Sequence, residues 1–244
     1  MKFKIVLVIA IAITVTSCMS LQIKLLGIHK KDATVVSFSN NNKTVAFVPM
    51  KHIGPREFYN DVRHIVDSLE NEGYIAYLES TRITDSLTKE EDSIVHLKVR
   101  KMIGTYLGDQ GYLDTINRKL MGRRYSNKLK LINQPPYKKL GADTLKAKIV
   151  DVPMNRIVKA YEEQYGVLHL NDCDYVLKPE QKYECGKEPG RQVNSIILNY
   201  REKHLANTIV KDSSKKIAVI YGAAHEAGLL RELRAIDSTW TYKK

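Results

Sequence analysis

Apolar residues along this chain change period several times, and each change marks an expected element. Two β-branched runs, Ala33–Phe38 and Thr44–Val48, flank the polar stretch Ser39–Lys43 with its three asparagines. Asn tolerates left-handed backbone, so this pattern predicts a β-hairpin. From Pro55 the spacing becomes helical: Phe58, Val62, Ile65, Val66 and Leu69 form one stripe that stops at Gly73. Tyr74–Leu78 reads as a strand, Thr88–Tyr106 as a less regular helix, and Leu145–Val152 as a further short strand. Helices are expected at Met154–Tyr165 and Val193–Val210. Ile217–Tyr221 is continuously apolar, as in a strand buried on both faces. A helical pattern resumes at Gly228 with Leu229, Leu230 and Leu233, and Thr239–Tyr242 reads as an edge strand. Residues 108–140 carry no clear period, and residues 166–190 form an excursion expected to be a lid or surface hairpin. The alternation predicts an α/β domain, a mixed sheet with helices on both faces and an N-terminal hairpin.

Three of these strands end on a polar group: His52 after the second hairpin strand, Glu79 after Tyr74–Leu78, and His225 after Ile217–Tyr221. Open α/β sheets keep their sites outside the carboxyl ends of the strands. Sequential strands joined by a crossover are usually neighbours, which would put Glu79 near His52. Two imidazoles and one carboxylate are also the ligand set of a divalent metal site with an open position for water. The expected cofactor is therefore a divalent ion, with Mn, Zn and Co all compatible. Asp151, at the end of another expected strand, is a further candidate ligand or base. Taken singly, a His at a strand end is usually structural, and a Glu there can simply face solvent.

Composition changes this picture only at the N-terminus. The 244 residues are 43% apolar and 27% charged, an ordinary globular balance with no sign of wholesale disorder. Lys2 and Lys4 precede an apolar run from Ile5 to Val15, followed by Thr16, Ser17 and Cys18. Residues 1–17 read as a lipoprotein signal peptide, Cys18 as the lipidated residue and residues 18–32 as a tether. An ordinary signal peptide or a short membrane anchor are the competing readings. The domain proper would span residues 33–244, facing the periplasm or exterior of a bacterial cell envelope. Loss of Lys2 and Lys4 lowers the formal charge from +12 to +10, spread along the chain; anionic head groups suit an exported protein better than nucleic acid, and a merely solvated basic surface suits it better still. Cys173 and Cys185 then remain as an even pair in an oxidising compartment and are expected to form a disulfide.

The run Met50-Lys51-His52-Ile53-Gly54 before a helix with Phe58-Tyr59, then Leu78-Glu79, Tyr200-Arg201-Glu202 and Tyr221-Gly222-Ala223-Ala224-His225, resembles the TraB/GumN/TIKI family of the erythromycin-esterase/ChaN-like superfamily. The likeness runs from about Thr44 to Asp237. Pro49 stands where the first family motif carries Gly, so the approach of that strand is expected to differ. The resemblance implies a metal-dependent, peptidase-like hydrolase acting on a peptide or small molecule, with His52, Glu79 and His225 at its centre. Arg201 falls where the family tends to carry an Arg, followed here by Glu202, and its expected role is to stabilise a substrate carboxylate or oxyanion. The alternative expectation is a non-catalytic envelope lipoprotein that binds a peptide or small ligand in the same cleft.

Overall fold

The computed structural model of the protein describes residues 19–82, 86–106 and 111–243. The signal-peptide and Cys18 readings lie outside these residues. The described residues start with a short helix, α1 (Met19–Leu25), after which β1 (Val36–Ser39) pairs with β2 (Thr44–Met50) as an antiparallel hairpin. Asn40 closes the turn, its side-chain oxygen accepting from the N–H groups of Asn42 and Lys43. A short β3 (Ile53–Pro55) leads into α2 (Arg56–Asn71), with Pro55 at the N-cap, where its missing N–H costs no helical bond. The helix buries Phe58, Tyr59, Val62, Val66 and Leu69, which matches the predicted stripe except at half-buried Ile65.

β4 (Ile75–Leu78) precedes α3 (Lys89–Ile103). That helix opens on a reciprocal capping box, in which Thr88 accepts from the Glu91 N–H and Glu91 from the Thr88 N–H. The stretch without periodicity contains β5 (Leu113–Asp114), β6 (Lys119–Leu120) and β7 (Arg123–Arg124), joined as one small sheet, and β8 (Leu131–Asn133), which pairs with β3. After β9 (Lys148–Ile149) come α4 (Met154–Tyr165), α5 (Asp172–Val176) and α6 (Gly190–Asn194). The expected helix 193–210 is interrupted by a π-helical turn at Ser195–Tyr200 before α7 (Arg201–Lys211). β10 (Lys216–Gly222), one 3₁₀ turn, α8 (Glu226–Ile236) and β11 (Thr241–Tyr242) complete the chain.

The main sheet has the order β11-β1-β2-β10-β4-β9. β2, β10, β4 and β9 run parallel, β1 is antiparallel to β2, and β11 is antiparallel to β1, so the sheet is mixed. Alternate residues of β10 divide between the two faces. Ile217, Val219 and Tyr221 pack under α7 and α8, while Ala218 and Ile220 pack under α2. The expected adjacency of the His52 and Glu79 strands does not hold, because β10 lies between β2 and β4. That order gives the fully apolar strand two parallel neighbours and cover on both faces. Pro49 lies past Phe47, the last β2 residue paired with β1, where a proline is tolerated.

The 166–190 excursion contains the short helix α5 rather than a hairpin. Cys173 and Cys185 lie at disulfide distance, with Cα atoms 5.5 Å apart. Buried Arg100 donates to the carbonyls of Leu177, Lys178 and Gln181, and buried Asp174 accepts from Lys101 and Tyr183. The excursion is therefore fastened to α3 by charge-assisted bonds, while the disulfide closes the excursion on itself.

Candidate functional site

The register of the parallel strands brings three polar residues to one edge. Gly222 pairs with Met50 at the end of β2, and Ile220 pairs with Leu78 at the end of β4. His52, Glu79 and His225 therefore leave adjacent strand ends in the same direction. All three, together with Arg201, line one cavity of about 600 Å³. Its remaining walls are largely apolar and include Val99, Met154, Ile157 and Ile197 from α3, α4 and the π turn, with Leu26 and Ile28 from the N-terminal segment. The size and the mix of apolar walls with a few convergent polar groups suit a small-molecule or side-chain ligand.

Arg201 is the hub. Its Nε donates to Asp151 Oδ1 at 2.9 Å, and its Nη2 donates to Asp151 Oδ2 and to Glu79 Oε1, both at 2.6 Å. Nη1 lies 3.2 Å from the Ile197 carbonyl and 3.2 Å from His225 Nε2. A guanidinium has five N–H donors, and here each is directed at a partner. The carbonyl of Ile197 belongs to the π turn, which places the Arg201 side chain against its own preceding backbone. Burial disfavours the cation, but Asp151 and then Glu79 outweigh it, so the guanidinium is held even more firmly protonated than usual.

Glu79 is similarly committed. Its Oε1 accepts from Arg201 and its Oε2 accepts from the Gly222 N–H at 2.7 Å. A Cβ at position 222 would sit 3.3 Å from that oxygen, so Gly lets the strand end close on the carboxylate. Burial pushes the Glu79 carboxyl up, but Arg201, with smaller help from His52 and His225, overcomes this and holds it below the ordinary range. Asp151, weakly signalled in the sequence, is the second anion of the hub, and its Oδ1 also accepts from the Val152 N–H.

His225 is 4% exposed. Because Arg201 can only donate, the neutral ring accepts at Nε2 and carries its proton on Nδ1. Nδ1 faces Glu202 Oε1 at 3.4 Å, long for a hydrogen bond. Glu202 is itself buried and accepts from Arg231 through Oε2 at 3.1 Å. The carboxylate enters only because residue 228 is glycine: a Cβ there would stand 1.9 Å from Glu202 Oε2. Glu202 escapes sequence reasoning because it neighbours Arg201 and looks like a solvated helical charge. Gly228, in the apolar stripe of α8, is the signal that could have found it.

His52 is exposed at the rim, and its ring stacks on Tyr112 with centroids 4.9 Å apart. Tyr112 also lines the cavity, and burial, aided by the charge of Glu79, pushes its hydroxyl up to about 12. It comes from the aperiodic stretch, where no pattern marks it. Tyr137 from the same stretch donates to the Glu79 carbonyl at 2.8 Å and pins the end of β4.

The expected divalent ion does not fit this arrangement. Among the described residues no three His, Cys, Asp or Glu side chains group as a metal site. Glu79 Oε1 and His225 Nε2 are 3.8 Å apart, but Arg201 bonds both of them. A permanent cation thus occupies the position a dication would need, and like charges so close in a buried site repel strongly. Among the described residues, no helix is long and apolar enough to cross a membrane.

No family model matches the chain, and neither a curated protein nor a solved structure matches it.

Proposed function

We propose that the cavity is the active site of a hydrolase acting on an amide or ester with an apolar substituent, anchored to the bacterial cell envelope through Cys18. The observation that carries this reading is the convergence of His52, Glu79, Arg201 and His225 on one largely apolar cavity at the carboxyl edge of the sheet.

The roles follow from which groups have spare capacity. His52 is accessible and lies at the rim, so it is the general base. It takes a proton from water as the water oxygen bonds to the substrate carbonyl carbon, and returns it to the leaving nitrogen or oxygen as the carbon–heteroatom bond breaks. The carbonyl oxygen, negative in the intermediate, faces the turn at Ala223 and Ala224, two cavity residues that open the run into α8. The first N–H groups of a helix have no partner within it and favour an anion there. Arg201 has no free N–H for the oxyanion, so its role is to hold Glu79, Asp151 and His225 in place. Glu79 supplies a fixed negative charge that stabilises the imidazolium of His52 as it forms. The sequence resemblance to the TraB/GumN/TIKI family supports hydrolysis; its metal-dependent form would require Arg201 to leave its four partner residues.

The test is cleavage of a panel of short apolar peptides and carboxylic esters, read by mass spectrometry, with and without chelator. Turnover that survives chelator and falls at least a hundredfold in His52→Ala, with an unchanged melting temperature, is the expected result. Ligands that bind without being cleaved would instead identify a binding module in the same cleft.

A further inference from the structure

We infer that the face carrying α1 is a docking surface for an anionic lipid bilayer, a second membrane contact that does not depend on acylation at Cys18. The helix is amphipathic in an unusual sense. Ile23 is buried and packs with Ile53, Leu113, Leu120, Tyr125 and Leu131, whereas Leu21, Leu25 and Leu26 are 51%, 79% and 74% exposed. Single exposed leucines need no explanation, but three within six residues, two on the outer side of α1 and Leu26 in the turn that follows it, form a patch that does. None of them is needed to complete the core beneath, because Ile23 already fills that side.

Charge identifies the occupant. Lys24 is exposed on the same helix, and Arg123, Lys182 and Lys187 share a cavity wall of about 370 Å³ with Met19, Gln22 and Leu26. Lys182 is paired with Glu184, which leaves the balance around the leucines positive. Leucines flanked by Lys and Arg are the composition of helices that lie in the headgroup plane with their apolar side in the acyl boundary. A protein partner would find a patch of mobile cations that must be desolvated, whereas phosphate head groups neutralise them without leaving water. The chain also reaches this face directly from residue 18. An apolar-plus-basic face beside the lipidated residue adds a second, headgroup-sensitive signal to the lipid anchor. Leu26 lines both this cavity and the larger one holding Glu79, so the docked face holds their shared wall against the bilayer.

The test uses residues 18–244 with Cys18→Ser, which retains every described element. Flotation is measured with vesicles of pure phosphatidylcholine and of phosphatidylcholine with 30% phosphatidylglycerol. Binding to the anionic vesicles at low salt, lost at about 0.5 M salt, is expected. Leu21→Ser/Leu25→Ser/Leu26→Ser should weaken that binding at least tenfold, and Arg123→Glu/Lys187→Glu should abolish its preference for anionic lipid. A fluorophore on Leu25→Cys should shift to the blue on anionic vesicles, a readout that does not require the triple variant to fold. Absence of binding, binding indifferent to both sets of substitutions, or self-association through this face in place of vesicle binding would overturn the inference.

Discussion

Replacing Arg201 by Ala removes the one cation between two buried carboxylates. The side chains of Arg201, Glu79 and Asp151 are 6%, 12% and 1% exposed, so the partners left behind cannot simply be rehydrated. Truncating one member of a buried ion pair typically costs about 3–5 kcal/mol, because it leaves uncompensated charge. In a domain of this size about 1 kcal/mol lowers Tm by roughly 2–4 °C, so Arg201→Ala should melt about 6–20 °C below the wild type. The pH dependence has a definite sign. The Glu79 carboxyl is held below its ordinary value, so its contribution is fully present above the unfolded value of about 4.3 and is lost as pH falls through the folded one. Without Arg201, burial becomes the dominant influence and raises the carboxyl, so the variant gains relative stability as pH falls. The gap in Tm should therefore narrow between pH 7 and pH 4. Arg201→Lys keeps the charge but offers three donors for five sites and should fall between the two. Thermal melts followed by circular dichroism across that range test the hub. A loss below about 1 kcal/mol for Arg201→Ala, or a gap independent of pH, would refute it.

Three further outcomes follow from the same structure. Gly228→Ala should expel the Glu202 carboxylate; the overpacking cost of about 1–3 kcal/mol should outweigh the gain of roughly 1 kcal/mol in helix propensity, and Glu202→Ala, which removes the clashing atoms, should relieve part of the loss in a double variant. Titration of the chelator-treated protein with Zn, Mn or Co should give no stoichiometric heat, and tight one-to-one binding would show that Arg201 yields to a metal. Cys173→Ser/Cys185→Ser should cost no more than about 3 kcal/mol by chemical denaturation, the scale for a loop of this length. Its fold should persist, because Arg100 and Asp174 still fasten the excursion.

Much of the sheet was legible because its elements have one buried side. The stripe of α2, the hairpin at Asn40 and the apolar run of β10 each follow from a single period, and the polar ends His52, Glu79 and His225 follow from where those periods stop. Strand order was not legible: nothing local tells β10 to enter between β2 and β4, a choice made by long-range packing. Tyr112 precedes a two-residue strand and Tyr137 opens a 3₁₀ turn, elements too short to impose a period on the sequence. The role of Asp151 was hidden for a different reason. Its position at a strand end suggests a ligand, and only the approach of α7 makes it the partner of Arg201. The same approach turns the expected metal centre into a guanidinium-centred one.

The account stands on His52 and the hub carboxylate Glu79 acting as a single unit in one cavity. A double-mutant cycle on kcat/KM, with His52→Ala, Glu79→Gln and the pair together, tests this most directly. Groups that work in one step lose most of their effect with the first substitution, so the double variant should be no more than a few-fold worse than the poorer single variant. Losses that simply multiply would mean that the imidazole and the carboxylate act independently, and would contradict a common site.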